Sequence, residues 1–239
     1  MYYRLLLVPL AFWLLMPCSQ AQQGDTYTYR NGDPYGSGKW YMGREIAHVM
    51  GHQAADWLER PERQKEERAD KLLKNMQLQA GYWVLDVGAG TAYHSRQMAE
   101  ILEDGGVYAL DIQREMLARI EQLATEHGLE QLIAVKGDPE GFALPDKGPG
   151  MVDRVLMVDV YHEMSHPVEM MRSIREVMRE DALLYLVEFR LESAWVPIKK
   201  VHKMSEDQAV KEMEAAGFSL SKRYGNLPWQ HCLVFEKSP

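Results

Sequence analysis

The chain has 239 residues, 46% apolar and 26% charged, with a formal net charge of −8. These proportions are globular and exclude a disordered or collagen-like chain; the length suits one α/β domain with a full core. The acidic balance makes nucleic acid a poor partner, because a phosphate backbone repels such a surface.

Residues 1–21 (MYYRLLLVPLAFWLLMPCSQA) carry one cation, Arg4, ahead of an apolar run from Leu5 to Met16. That run is short of the ~20 residues a transmembrane helix needs. Ser19-Gln20-Ala21 sets small residues at the −3 and −1 positions of a cleavage site. We read an export signal cut after Ala21 and a periplasmic or secreted protein, the alternative being an uncleaved N-terminal anchor. No later apolar run is long enough to span a membrane. Cleavage would remove Cys18 and leave Cys232, in the apolar run HCLVF, as a buried inert thiol.

Residues 22–40 are rich in Gly, Tyr and polar side chains and predict a flexible lead. Residues 41–79 predict helix, with Ile46, Val49, Met50, Trp57 and Leu58 on an apolar face and ERPERQKEERAD as a solvated charged face. Together, 22–70 form a lead and lid, with 71–239 as the main domain. From Gly81 strands and helices alternate. Strands are expected at 83–87, 107–112, 132–136, 155–158 and 183–189, and helices at 92–103, 114–127 and 167–179. Gly128 should cap the second helix and Pro167 open the third. Ser205 and Gln208 make a capping box for a helix over 206–216, and two late strands, 218–224 and 230–236, look like a hairpin-type edge pair. Repeated β-α-β units predict a mainly parallel sheet with helices on both faces, its ligand beyond the carboxyl ends of the strands.

The loop after the first of these strands reads Asp86-Val87-Gly88-Ala89-Gly90-Thr91-Ala92. Two glycines there let the backbone approach a ligand, and the following helix start offers free N–H groups. Asp111 closes the next strand about 20 residues on. Asp-Val-Gly-Ala-Gly resembles motif I of the class I S-adenosylmethionine-dependent methyltransferases; a dinucleotide-binding G-x-G-x-x-G would need glycine where Tyr93 stands. The resemblance spans roughly 70–239. It implies a Rossmann-like methyltransferase fold, a seven-stranded sheet with a reversed last strand, and S-adenosylmethionine as cofactor. It also implies roles: Asp86 near the cofactor ammonium, Gly88, Ala89 and Gly90 along the bend, and Asp111 on the ribose diol. Ile112 would cover an adenine face, Gly137 and Asp138 would meet the adenine amine, and Asp159 follows the fourth strand. Ala92 departs from the family, many of whose members have glycine there. The exported members it most resembles carry VYHE-x-x-HP after that strand.

His162-Glu163-Met164-Ser165-His166 matches H-E-x-x-H, which grips zinc only on a helix. Here it lies between a strand and Pro167, and a residue before proline avoids helical backbone, so a zinc hydrolase is the weaker reading and no metal is expected. The same loop lies where acceptors dock in the family, so His162, Glu163 and His166 are candidates to orient or deprotonate a methyl acceptor, with a near-neutral His as base. The bland alternative is that they only shape the loop. His48 and His52 are surface histidines or part of a lid. Lys199, Lys200, His202 and Lys203 form a local basic patch, and Trp195 and Trp229 are taken as packing residues. Because S-adenosylmethionine is made in the cytoplasm, an exported protein that binds the cofactor without catalysis is the competing function. The acceptor is not legible in the sequence.

Overall fold

The computed structural model describes residues 26–145 and 150–239. The expected export signal and Cys18 lie outside the described residues. The lead is ordered from β1 (Tyr27–Tyr29), which pairs antiparallel with β2 (Gly36–Tyr41), itself paired with β3 (Arg44–Ala47). The expected helix over 41–79 is therefore replaced at its start by a strand. Met42 and Gly43 turn the chain with positive φ (48° and 97°), and Ile46 is buried as a sheet residue. Three short helices follow: α1 (Ala55–Leu58), α2 (Arg63–Glu67) and α3 (Ala69–Met76). Left-handed backbone at Arg68 (φ 57°) separates the last two.

The main sheet contains β4 (Trp83–Val87), β5 (Gly106–Asp111), β6 (Leu132–Asp138), β7 (Gly141–Phe142), β8 (Val152–Val158), β9 (Met178–Phe189), β10 (Phe218–Tyr224) and β11 (Gln230–Lys237). Its order is β10-β11-β9-β8-β4-β5-β6-β7. Strands β6, β5, β4, β8 and β9 are mutually parallel, and β11 runs antiparallel between β9 and β10. The last strand is thus reversed, as the resemblance implied, and sits inside the sheet edge rather than outside it. The two-residue β7 adds an eighth, antiparallel strand.

The helices between these strands are α4 (Tyr93–Ala99), α5 (Arg114–His127), α6 (Pro167–Val177) and α7 (Glu206–Ala215). Gly128 caps α5 at φ 64°, and Ser205 Oγ accepts from Gln208 N at the start of α7. Side chains alternate across the sheet and build two cores. Leu85, Val155 and Met157 join one; Val84, Leu156 and Cys232 join the other. Burial pushes the Cys232 thiol up to about 12, which keeps it inert. Trp195 does not pack: it is 93% exposed.

The N-terminal sheet is locked to the main domain by Arg44. Its Nε and Nη2 donate to Glu212 at 2.8 and 2.9 Å, and its Nη1 donates to the His162 carbonyl at 3.0 Å. Tyr27 donates to Glu169 at 2.5 Å beside it. Strand order reverses at β4, whose neighbours β5 and β8 lead their chains to opposite sides, and the crevice opens there.

Candidate functional site

β4 and β5 each carry a carboxylate near the carboxyl end, because an aspartate there can reach past the last apolar layer into the crevice. Asp86 is 3% exposed and accepts a hydrogen bond from Ser95 Oγ at 2.5 Å. Burial raises its pKa to about 6, with Asp111 adding to the rise and Ser95 and Arg63 opposing it. Asp111 Oδ2 accepts from Gly90 N at 2.9 Å and Oδ1 from Gln113 N at 2.8 Å. The Asp111 carboxyl is also raised by burial, against those backbone N–H groups. Each oxygen keeps a second lone pair for another donor.

The bend itself is tight. Gly88 and Gly90 hold φ of 69° and 57°, and Ala92 holds 65°. Gly88 N and Ala89 N donate to the Leu110 carbonyl. A Cβ on Gly88 would lie 2.3 Å from Val160 Cγ2, and one on Gly90 would lie 2.9 Å from Leu58 Cδ1. Gly88 is therefore required by the Val160 side chain and its positive φ, whereas at Gly90 the positive φ decides, since the end of Leu58 can move aside.

Asp86, Gly88, Ala89, Gly90, Asp111, Ile112, Asp159, His162 and Glu163 all line one cavity of about 430 Å³. This is within the usual range for small-ligand sites. Gly137, Asp138 and His166 do not line it. Strand β6 runs on through Asp138 and turns antiparallel into β7, which leaves Asp138 exposed and Gly137 packed on Leu110. His166 precedes Pro167 at the start of α6, bonds Ser165 Oγ at 3.0 Å and sits 4.0 Å from Glu140. HEMSH is one short 3₁₀ turn, Tyr161–Glu163, followed by extended backbone at Met164, so His162 and His166 share no helix face.

The structure adds residues that sequence reasoning passed over. Arg63 and Glu67, read as a solvated charge run, are buried and paired at 2.8 Å, and Arg63 faces the cavity. His94 lines the cavity too, with Nε2 3.5 Å from Arg63 Nη2 and Nδ1 without a partner among the described residues. Burial and Arg63 hold it neutral. Asp159, at φ 50°, accepts from Gln230 at 2.7 Å through Oδ2, while its buried Oδ1 has no partner among the described residues. Gln113 ties the lid on: it accepts from His52 N at 2.8 Å and donates to the Met50 carbonyl at 3.0 Å. Trp57 and Met50 line the cavity, while His48 is exposed and His52 pairs with Glu115 at 3.7 Å. Of the basic patch, Lys199 and His202 line the cavity, and Lys203 is buried on the carbonyls of Ser193 and Val196.

The same cavity wall carries a polar cluster. His162 Nδ1 lies 2.6 Å from Glu188 Oε2, and its Nε2 lies 3.1 Å from His202 Nδ1. Burial alone would depress His162, but the Glu188 and Glu163 carboxylates win and raise it to about 10. Burial opposes ionisation of Glu163, yet hydrogen bonds from His162 and His202 lower it to about 2. Both carboxylates thus favour the protonated form of His162. The one signal for Glu188 was an acidic residue inside the apolar strand YLVEF; nothing in the pattern marked His94.

Residues 78–231 match the family model described as a methyltransferase domain. The chain belongs to that family. A solved structure similar to this methyltransferase-domain protein is an S-adenosylmethionine-dependent methyltransferase from Aquifex aeolicus. It is 23% identical, with a TM-score of 0.72, over 78% of this chain and 98% of that one. The family match shows a methyltransferase domain, and the likeness to the solved structures shows its fold. The [4+2]-cyclase SpnF has the same fold at 16% identity and a TM-score of 0.60, covering 72% of this chain and 80% of its own. A curated relative, protein-L-isoaspartate O-methyltransferase 2 of Rhodopseudomonas palustris (strain HaA2), is 29% identical over 97 residues. That match covers 41% of this chain and 42% of the relative's length.

The cofactor fits the residues present. Its amino-acid end is a zwitterion, and the cavity offers unsatisfied groups of both kinds: the Asp159 Oδ1 acceptor and the His94 Nδ1 donor. Buried polar atoms left alone in this way call for a partner.

Proposed function

We propose that the protein transfers the methyl group of S-adenosylmethionine, after export, to an acceptor that enters beside His162, Glu163 and His202. The observation that carries this reading is the convergence of Asp86 and Asp111 on one cavity that continues to the polar cluster. The cofactor supplies a methyl group on a cationic sulfur. Asp111 would take the ribose diol on its remaining lone pairs while holding the Gly90 bend. Asp86 and Asp159 would meet the ammonium, and His94 the carboxylate. Trp57, Phe189, Pro197 and Ile198 give the other half an apolar lining that excludes water, with Lys199 as a cation among them. An acceptor with an apolar body and one polar end suits such a lining. Transfer is an in-line displacement, so alignment by these walls is the main contribution expected of the protein. His162 would orient the acceptor at the cavity wall.

Export is supported by the Arg4, Leu5–Met16 and Ser19-Gln20-Ala21 pattern. The competing reading, a cofactor-binding protein without catalysis, draws support from the export pattern itself, because S-adenosylmethionine is made in the cytoplasm. Labelled-methyl transfer into envelope extracts, followed by fractionation, separates the two. A labelled product supports the transferase; binding of S-adenosylhomocysteine with no labelled product in any fraction supports the binder.

A further inference from the structure

Three metal-ligating atoms from two separate loops meet at the cavity wall: His162 Nε2, Glu163 Oε1 and His202 Nδ1. They stand 3.1 Å (His162 to His202), 3.2 Å (His202 to Glu163) and 3.6 Å (His162 to Glu163) apart. An ion with bonds of about 2.1 Å holds adjacent donors roughly 3.0 Å apart in an octahedron and roughly 3.4 Å apart in a tetrahedron. The observed distances span the tetrahedral value and come within about 0.1 Å of the octahedral one.

We propose that His162, Glu163 and His202 form a site for a single first-row divalent metal ion, zinc above all, whose open coordination positions face the cavity and take the polar atom of the substrate. The sequence motif pointed to the wrong second histidine. His166 turns away to Ser165, and His202, arriving from the loop after β9, replaces it.

The surroundings are those of a ligand set. Glu188 Oε2 holds His162 Nδ1 at 2.6 Å, and Glu188 Oε1 accepts from His162 N at 3.2 Å. This is the carboxylate–histidine support that fixes a ring's orientation and directs its Nε2 at a metal. Glu163 Oε2 is occupied by Met50 N at 3.0 Å, which leaves Oε1 turned to the two rings. The three donor atoms face one another, and a single cation accepts a lone pair from each. Two imidazoles and one carboxylate with open positions is a donor set of catalytic zinc sites, and it also suits iron(II). Such an ion lowers the pKa of a bound hydroxyl or thiol, the kind of acceptor a methyl donor needs. That use of the ion rests on the transferase reading above; the binding of the ion does not.

The test is equilibrium dialysis of the purified, chelator-stripped protein against zinc, with cobalt(II) absorption as a second probe of coordination. One ion per chain is expected, with a cobalt spectrum of low-symmetry nitrogen and oxygen ligation. His202→Ala and Glu163→Gln should each weaken binding at least 100-fold, Glu188→Gln should weaken it 10- to 100-fold, and His166→Ala should leave it unchanged. Melting curves and S-adenosylhomocysteine titrations on the same variants show whether they are folded with an intact cofactor cleft. No stoichiometric zinc or cobalt on a folded wild-type protein overturns the proposal, as does binding lost in His166→Ala but kept in His202→Ala. Zinc bound without S-adenosylhomocysteine binding leaves the metal site standing and removes the transferase reading; the reverse result removes the site alone.

Discussion

The buried carboxylate of Asp86 should be a burden to the protein without its cofactor and an asset once the cofactor is bound. Its pKa rises from 3.8 to about 6 in the fold, because burial disfavours the charged form. For an acid shifted upward, the native state binds the extra proton between those two values. The penalty is therefore absent below pH 3.8, grows as pH rises to about 6, and is complete above it. A rise of this size corresponds to ~3 kcal/mol at neutral pH. Asp86→Asn removes the charge, and its side-chain oxygen still accepts from Ser95 Oγ. In a chain of this length 1 kcal/mol moves the melting temperature by roughly 2–4 °C, so the variant should melt several degrees higher than wild type at pH 7.5. The gap should shrink toward pH 4.5. The same change should weaken S-adenosylhomocysteine binding about 10- to 100-fold, the cost of losing a charge-assisted contact to the ammonium. Thermal melts at both pH values, with and without ligand, measure both effects. A variant less stable than wild type at pH 7.5, or one that binds the ligand as tightly, would refute the reasoning.

Gly88→Ala places a Cβ 2.3 Å from Val160 Cγ2 at a left-handed φ of 69°; it should cost ~1–3 kcal/mol by urea denaturation, and Val160→Ala should recover part of that loss but not the backbone strain. Arg44→Ala strands the fully buried Glu212 carboxylate and should destabilise by ~3–5 kcal/mol in the same assay, far more than Lys237→Ala, whose partner Glu180 is exposed. Ser205→Ala removes the hydroxyl that caps α7 and should cost ~1 kcal/mol.

The parts of the fold governed by local chemistry were readable. Trp83–Val87 and Arg114–His127 have the expected bounds, because a continuous apolar run and a capped amphipathic run each specify one structure. The strand-tip aspartates followed from the β-α-β order, which dictates where a crevice opens. The N-terminal region was misread because its burial is tertiary: Arg63 and Glu67 are charged residues inside the protein, paired with each other, with Arg63 on the cavity wall, and no helical periodicity records that. Asp138 was misplaced by strand β6 continuing into β7, and His166 because the loop after β8 turns at Met164 and sets its ring against Ser165 instead of the cavity. His202 lies forty residues from His162, and only the close of β9 brings them together.

Calorimetric titration of S-adenosylhomocysteine into the wild-type protein and Asp111→Asn is the most direct measurement of the cofactor assignment. The predicted result is one ligand per wild-type chain and a loss of at least tenfold in affinity for the variant, with both proteins folded. No binding to the wild type, or equal binding to both, would contradict it.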